Sequence, residues 1–240
     1  VTGEPALALV VGAGPGLGSA LARCFAAAGM QVAVAARRPA TLLTLVGQLN
    51  RGGGRAVAFA CDVTEEASVD ALFAKVGGEL GTPHLVVYNA GAFVPAALVA
   101  ISAREFRRCW EVGCFGGFLV GQRAARSMLA RAPAADGLGT ILFTGATASL
   151  RGSAGFANLA VGKFGLRAVA QCMARELGPQ GIHVAHVVID GMIASAPSGA
   201  PADDSRLDPQ AIALQYLHLH RQPRSAWTFE LDLRPWVEKF

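Results

Sequence analysis

The segment Ala6-Leu7-Ala8-Leu9-Val10-Val11-Gly12-Ala13-Gly14-Pro15-Gly16-Leu17-Gly18 runs a compact apolar stretch straight into a glycine-rich turn. Beyond it, Leu17, Leu21, Cys24 and Phe25 recur at helical spacing, and the pattern stops at Gly29. The order is strand, turn, helix. Glycines lacking a Cβ let the backbone fold tightly and approach a pyrophosphate, while a helix start aims unpaired N–H groups and its positive dipole end at the same anion. Gly12, Gly14, Pro15, Gly16, Leu17 and Gly18 are therefore candidate phosphate-cradling residues. No Gly-Lys-Ser/Thr follows, which disfavours a nucleoside-triphosphate P-loop. The plainer alternative is an ordinary turn ahead of a buried helix.

Working outward, short apolar runs alternate with helix-like segments along the whole chain. Strands are expected at 31–36, 55–60, 84–88, 141–144, 182–189 and 228–233. Helices are expected at 40–49, 65–76, 103–130, 153–177 and 209–220, and a surface loop at 131–139. Repeated strand–helix crossovers imply an α/β fold, a parallel sheet of about seven strands with helices on both faces. No linker or repeat divides it, so residues 1–240 read as a single domain. Ligands of such sheets bind at the carboxyl ends of the strands, where strand order reverses.

Composition narrows the possibilities further. Of 240 residues 52% are hydrophobic and 16% charged, which supports a large core and excludes intrinsic disorder. The net charge of +4 is small and spread out, so neither nucleic acid nor a membrane surface is suggested as a partner. Five cysteines without a Cys-x-x-Cys pair fit a reducing cytoplasmic location. The uncharged stretch 5–22 is broken by glycines and reads as neither export signal nor membrane span.

Arg37 and Arg38 stand just after the second strand, where a dinucleotide-binding sheet often has an acid for the adenosine ribose. Two guanidiniums suit a 2′-phosphate instead, which favours NADP over NAD. Surface arginines at a strand end are the alternative.

With these residues in place, the chain resembles the short-chain dehydrogenase/reductase family, of the classical type, over nearly its whole length. The glycine turn is similar to the family's T-G-x-x-x-G-x-G, with Val11 in the threonine's place and Gly12, Gly16 and Gly18 matching. Cys61-Asp62-Val63-Thr64 resembles the family's aspartate motif after the third strand, and Tyr88-Asn89-Ala90-Gly91 its N-N-A-G after the fourth. The resemblance implies a Rossmann-type doubly wound sheet and a nicotinamide cofactor. It also implies cofactor contacts from Asp62, Val63, Asn89, Ala90 and Gly91, and a homodimer or homotetramer.

The family's chemistry rests on Asn, Ser, Tyr and Lys. Here only Lys163 is retained, as candidate catalytic and cofactor-binding residue. Leu159 holds the tyrosine's place one helical turn before it, Ala146 the serine's, and Gly113 the asparagine's. Thr147, Ser153 and Tyr88, the last close to the expected cleft, are the hydroxyls considered as substitutes, each more readily explained by a structural role, since Ser and Thr commonly serve turns and caps. His183, His186, His218 and His220 do not form a metal set.

After the sixth strand, Asp190-Gly191-Met192-Ile193 replaces the family's P-G-x-I. Gly191 and Ile193 are carried over as contacts to the nicotinamide side. The region near 192–222, and within it 194–208, matches a substrate-covering loop in position. Two functions stand at this stage. One is an NADP-binding oxidoreductase acting on a small-molecule substrate through a non-standard proton donor. The other is a non-catalytic dinucleotide-binding or scaffold protein.

Overall fold

The structure is a computed structural model, and it describes residues 5–132, 137–194 and 204–239. Seven strands form one parallel sheet: β1 (Leu7–Val11), β2 (Gln31–Ala36), β3 (Ala56–Ala60), β4 (Leu85–Tyr88), β5 (Gly139–Thr144), β6 (Ile182–Ile189) and β7 (Glu230–Leu233). Their order across the sheet is β3-β2-β1-β4-β5-β6-β7. The direction of winding reverses between β1 and β4, and a crevice opens there above the carboxyl ends of the strands.

Helices cover both faces: α1 (Leu17–Ala27), α2 (Leu43–Arg51), α3 (Glu66–Leu80), α4 (Ala103–Trp110), α5 (Gly116–Leu129), α6 (Ala157–Leu177) and α7 (Pro209–His220). Alternation along the strands sorts the core into two layers. Leu7, Leu9 and Val11 of β1 join Leu72, Val120 and Leu166 on the α3–α5–α6 side. Ala8 and Val10 join Phe25, Leu45 and Tyr216 on the α1–α2–α7 side. The central strands β1 and β4 read as continuous apolar runs because both their faces are buried.

Local signals fix the helix ends. Ser102 and Glu105 form a reciprocal capping box at the start of α4. Asp208 caps α7 by accepting from the Gln210 N–H, with Pro209 in the first turn. No side chain caps α1, whose N-cap is Gly16, and its first turn holds no acid. That helix start keeps its positive end for something outside the helix.

Two helix expectations are corrected. The helix read as continuous over 103–130 is interrupted by a π-helical turn at Glu111–Phe115. A β-carbon on Gly117 would meet Leu166, and one on Gly121 would meet Phe143 and Met173, so this glycine face lies directly against its neighbours. The widened turn brings Gly113 onto the same contact, against Gly162. The helix expected from residue 153 begins at Ala157. Among the described residues no helix is long and apolar enough to cross a membrane.

Candidate functional site

The crevice holds a cleft of about 610 Å³, lined by Gly12, Ala13, Ala36, Arg37, Cys61, Asp62, Val63, Asn89, Ala90 and Gly91, then by Phe93, Val94, Glu105, Arg108, Cys109 and Val112. Residues after β1, β2, β3 and β4 thus meet in one place, as the sequence motifs required. The turn is built for close approach. Gly12 has φ +89°, and a β-carbon there would stand 2.3 Å from the Ala90 nitrogen. Asn89 locks the same turn, donating from Nδ2 to the Gly12 carbonyl at 3.1 Å.

Gly14 and Gly16 have open space where a β-carbon would project, so their backbone is accessible. They border a neighbouring depression with Pro15, Ser19, Thr41 and Gln48. Open glycines, an uncapped helix start and no acid in its first turn fit an anionic group such as a pyrophosphate. Asp62 is pre-oriented, since its Oδ1 accepts from the Thr64 backbone N–H at 3.1 Å and hydroxyl at 2.7 Å. Arg37 is exposed and lines the cleft, whereas Arg38, also exposed, lies outside that lining.

Lys163, Gly191 and Ile193 are not among the residues lining the cleft. Lys163 is only 6% exposed and donates to the Thr144 carbonyl at 2.6 Å. Its burial, with no counter-charge to offset it, pulls its pKa down to about 8. Gly191 has φ +145°, and a β-carbon there would meet Pro235 Cδ at 2.7 Å, so packing as well as conformation demands glycine. Ile193 pairs with Leu207 in an isolated parallel bridge. Of the expected covering loop, residues 195–203 lie outside the described residues.

Two of the hydroxyls considered as substitutes, those of Tyr88 and Thr147, are otherwise engaged. Tyr88 is fully buried, not at the cleft surface; its hydroxyl donates to the Val112 carbonyl, and burial pushes its pKa up. Thr147 donates to the Asp190 carboxylate, which Arg234 approaches at 3.3 Å. Ser153 is exposed on the turn before α6. Leu159 is half-buried one turn before Lys163. Ala146 gives its N–H to Ser149 Oγ at 3.1 Å.

Other features were not legible beforehand. Phe93, which lines the cleft, stacks on Phe156 with ring centroids 4.8 Å apart. His186 pairs with Glu230 across β6 and β7. His183, also on β6, bonds the Thr228 carbonyl at 2.8 Å, and His220 bonds Thr140 at 2.9 Å.

This arrangement of strands and cleft has known counterparts. The family model described as short chain dehydrogenase matches residues 6–203. The chain belongs to the short-chain dehydrogenase/reductase family of oxidoreductases, whose members bind a nicotinamide dinucleotide.

Particular relatives are similar over most of their length. The 3-oxoacyl-[acyl-carrier-protein] reductase MabA of Mycobacterium avium is 32% identical over 213 residues, 89% of this chain and 75% of that protein. A crystal structure of a short-chain dehydrogenase from Rhodopseudomonas palustris superposes with a TM-score of 0.84 at 42% identity, covering 96% of this chain and 99% of that one. The alcohol dehydrogenase of the archaeon Thermococcus sibiricus, complexed with 5-hydroxy-NADP, gives a TM-score of 0.87 at 25% identity over 98% and 99% of the two chains.

Proposed function

We propose that this protein binds NADP(H) in the cleft between β1 and β4 and is an oxidoreductase in which the usual proton-donating hydroxyls have been given up. The observation that carries the reading is the convergence of Gly12, Arg37, Asp62, Asn89 and Gly91 on a single cleft. Such a cofactor supplies hydride chemistry. Gly12 to Gly18, with the α1 start, would hold the pyrophosphate, Asp62 and Val63 the adenine, and Asn89 to Gly91 the adjoining ribose. Arg37, with Arg38 beside it, would receive the 2′-phosphate. Lys163 would hold the nicotinamide ribose, and Gly191 and Ile193 would border the nicotinamide.

When a carbonyl accepts hydride, negative charge grows on its oxygen and a donor must stabilise or protonate it. Leu159 and Ala146 have no proton to give, and losing a general acid costs roughly 100- to 10,000-fold in rate. Lys163, with a pKa near 8, is the ionisable group of the family's catalytic set that remains. The same facts favour a second reading, a non-catalytic dinucleotide-binding protein.

Titration with NADPH and NADH, followed by a panel of carbonyl substrates, tests these readings. Binding with turnover supports the first and binding without turnover the second; no binding of either nucleotide defeats both. The proposal includes a homodimer or homotetramer, supported by the exposure of Trp110, Phe118, Val161 and Phe164 on α4, α5 and α6. Light scattering reads the mass directly.

A further inference from the structure

At the amino ends of the strands, opposite the cofactor cleft, the chain has a second cavity, of about 580 Å³. Ala6 before β1, His84 before β4 and Gly139 at the start of β5 line it, and the chain at and just after the end of α7, from His220 to Arg224 and again at Trp227, completes it. The five residues of β1 set it roughly 17 Å from the glycine turn. No residue lining the cleft lines this cavity.

Its charged lining is basic. His84, His220, Arg221 and Arg224 line it, and no acid does so among the described residues. Arg131 touches His84 from outside the lining, with Nη2 2.5 Å from His84 Nε2, and its Nη1 is buried without a hydrogen-bond partner. Arg131, Arg221 and Arg224 have no acidic partner within ion-pair distance among the described residues. Burial first lowers the pKa of both histidines, and the charges that act after it are all basic: Arg131 on His84, and His84, Arg221 and His183 on His220. Like charges gathered round one cavity repel, and an anion placed among them removes that cost.

The groups are held in position. The Leu7 backbone N–H donates to His84 Nδ1 at 3.2 Å, and His220 Nδ1 is bonded to the Thr140 hydroxyl at 2.9 Å. With Nδ1 accepting, neutral His84 carries its proton on Nε2, against another donor, so this cluster holds more N–H groups than acceptors. Trp227 donates from Nε1 to the Gln222 carbonyl at 3.2 Å and stacks on His183 with ring centroids 4.9 Å apart. The Arg224 guanidinium stands 5.8 Å from the centre of the same indole. Donors already fixed in this way lose little freedom when a ligand arrives. Leu138, Pro223 and Trp227 add apolar wall, and the volume is that of a small-molecule site rather than of a lone inorganic ion.

We propose that this cavity is a second small-molecule site, for an organic anion whose carboxylate or phosphate head meets Arg221, Arg224 and His220 and whose apolar body lies against Leu138, Pro223 and Trp227.

The three indole N–H signals, from Trp110, Trp227 and Trp236, can be followed in nitrogen–proton spectra of the whole protein during titration with 2-naphthoate and with 2-naphthyl phosphate. Saturable movement of the Trp227 signal is expected with at least one of them, and the tighter of the two names the head group. Uncharged 2-naphthalenemethanol and inorganic phosphate alone should each bind at least roughly tenfold more weakly. Arg221→Ala/Arg224→Ala, a change at two exposed positions, should weaken binding by at least roughly tenfold. No saturable movement, equal binding of the uncharged analogue or of inorganic phosphate, or an unchanged affinity in the double variant overturns the proposal. Asp136, the acid nearest in sequence to Gly137, lies outside the described residues. Asp136→Asn should leave the dissociation constant within about threefold; a larger tightening would show that the chain's own carboxylate fills the site, and overturn the proposal. The titration needs neither cofactor nor turnover, so a failure of NADP(H) to bind would sink the functional reading alone.

Discussion

A β-carbon on Gly113 would stand 3.0 Å from the α-carbon of Gly162, so the π-helical turn and α6 meet backbone against backbone. This is the position at which the family's asparagine is expected. Restoring it by Gly113→Asn drives a side chain into the neighbouring helix. The expected cost is about 2 kcal/mol, or a Tm lowered by roughly 5 °C. Calorimetry reads it; an unchanged Tm would show that the two helices separate freely.

Arg37 is exposed, lines the cleft and has no acidic partner within ion-pair distance among the described residues. Arg37→Ala should weaken NADPH binding about 10- to 100-fold, the worth of one or two charge-assisted hydrogen bonds, with little change for NADH. Isothermal titration with both nucleotides measures the difference. Equal losses would mean that the guanidinium does not distinguish them.

Acid should destabilise the fold through its buried imidazoles. His186 is held near pKa 4 by burial, and so is His220, where burial is joined by the charges of His84, Arg221 and His183. Unfolding returns each ring to about 6.5, so below that pH the unfolded chain binds the extra protons. The stabilisation is complete above pH 6.5 and is lost as pH falls toward 4, on the order of 3 kcal/mol for His186. Urea midpoints at pH 7 and pH 4.5 in the wild type and His186→Gln should show a steeper acid loss in the wild type. Parallel losses would count against it.

Punctuation and periodicity made much of the fold legible. Strands 31–36 and 182–189 and helix 209–220 were read with the bounds the structure shows, because turns, caps and continuous apolar runs mark them locally. The glycine turn was legible for the same reason, whereas Asp62 and Asn89 were named through the family resemblance. The π turn was not legible: it lies where Gly113 meets Gly162, a contact between residues far apart in sequence. His186 gave no signal either: Glu230 becomes its neighbour only through the parallel register that pairs β6 with β7. Tyr88, weighed as a substitute hydroxyl but read as more readily structural, is structural. Its place beside the Asn89 motif suggested the cleft, but strand alternation turns the ring into the core.

The central claim is that the cofactor scaffold is intact while Ala146 and Leu159 withhold the proton donor. Carbonyl reduction with saturating NADPH, compared between the wild type and the Ala146→Ser/Leu159→Tyr double variant, tests it most directly. The account predicts a gain in kcat of at least roughly 100-fold in the double variant, the usual worth of a placed general acid. A wild type that already reduces the substrate as fast as the double variant would contradict it.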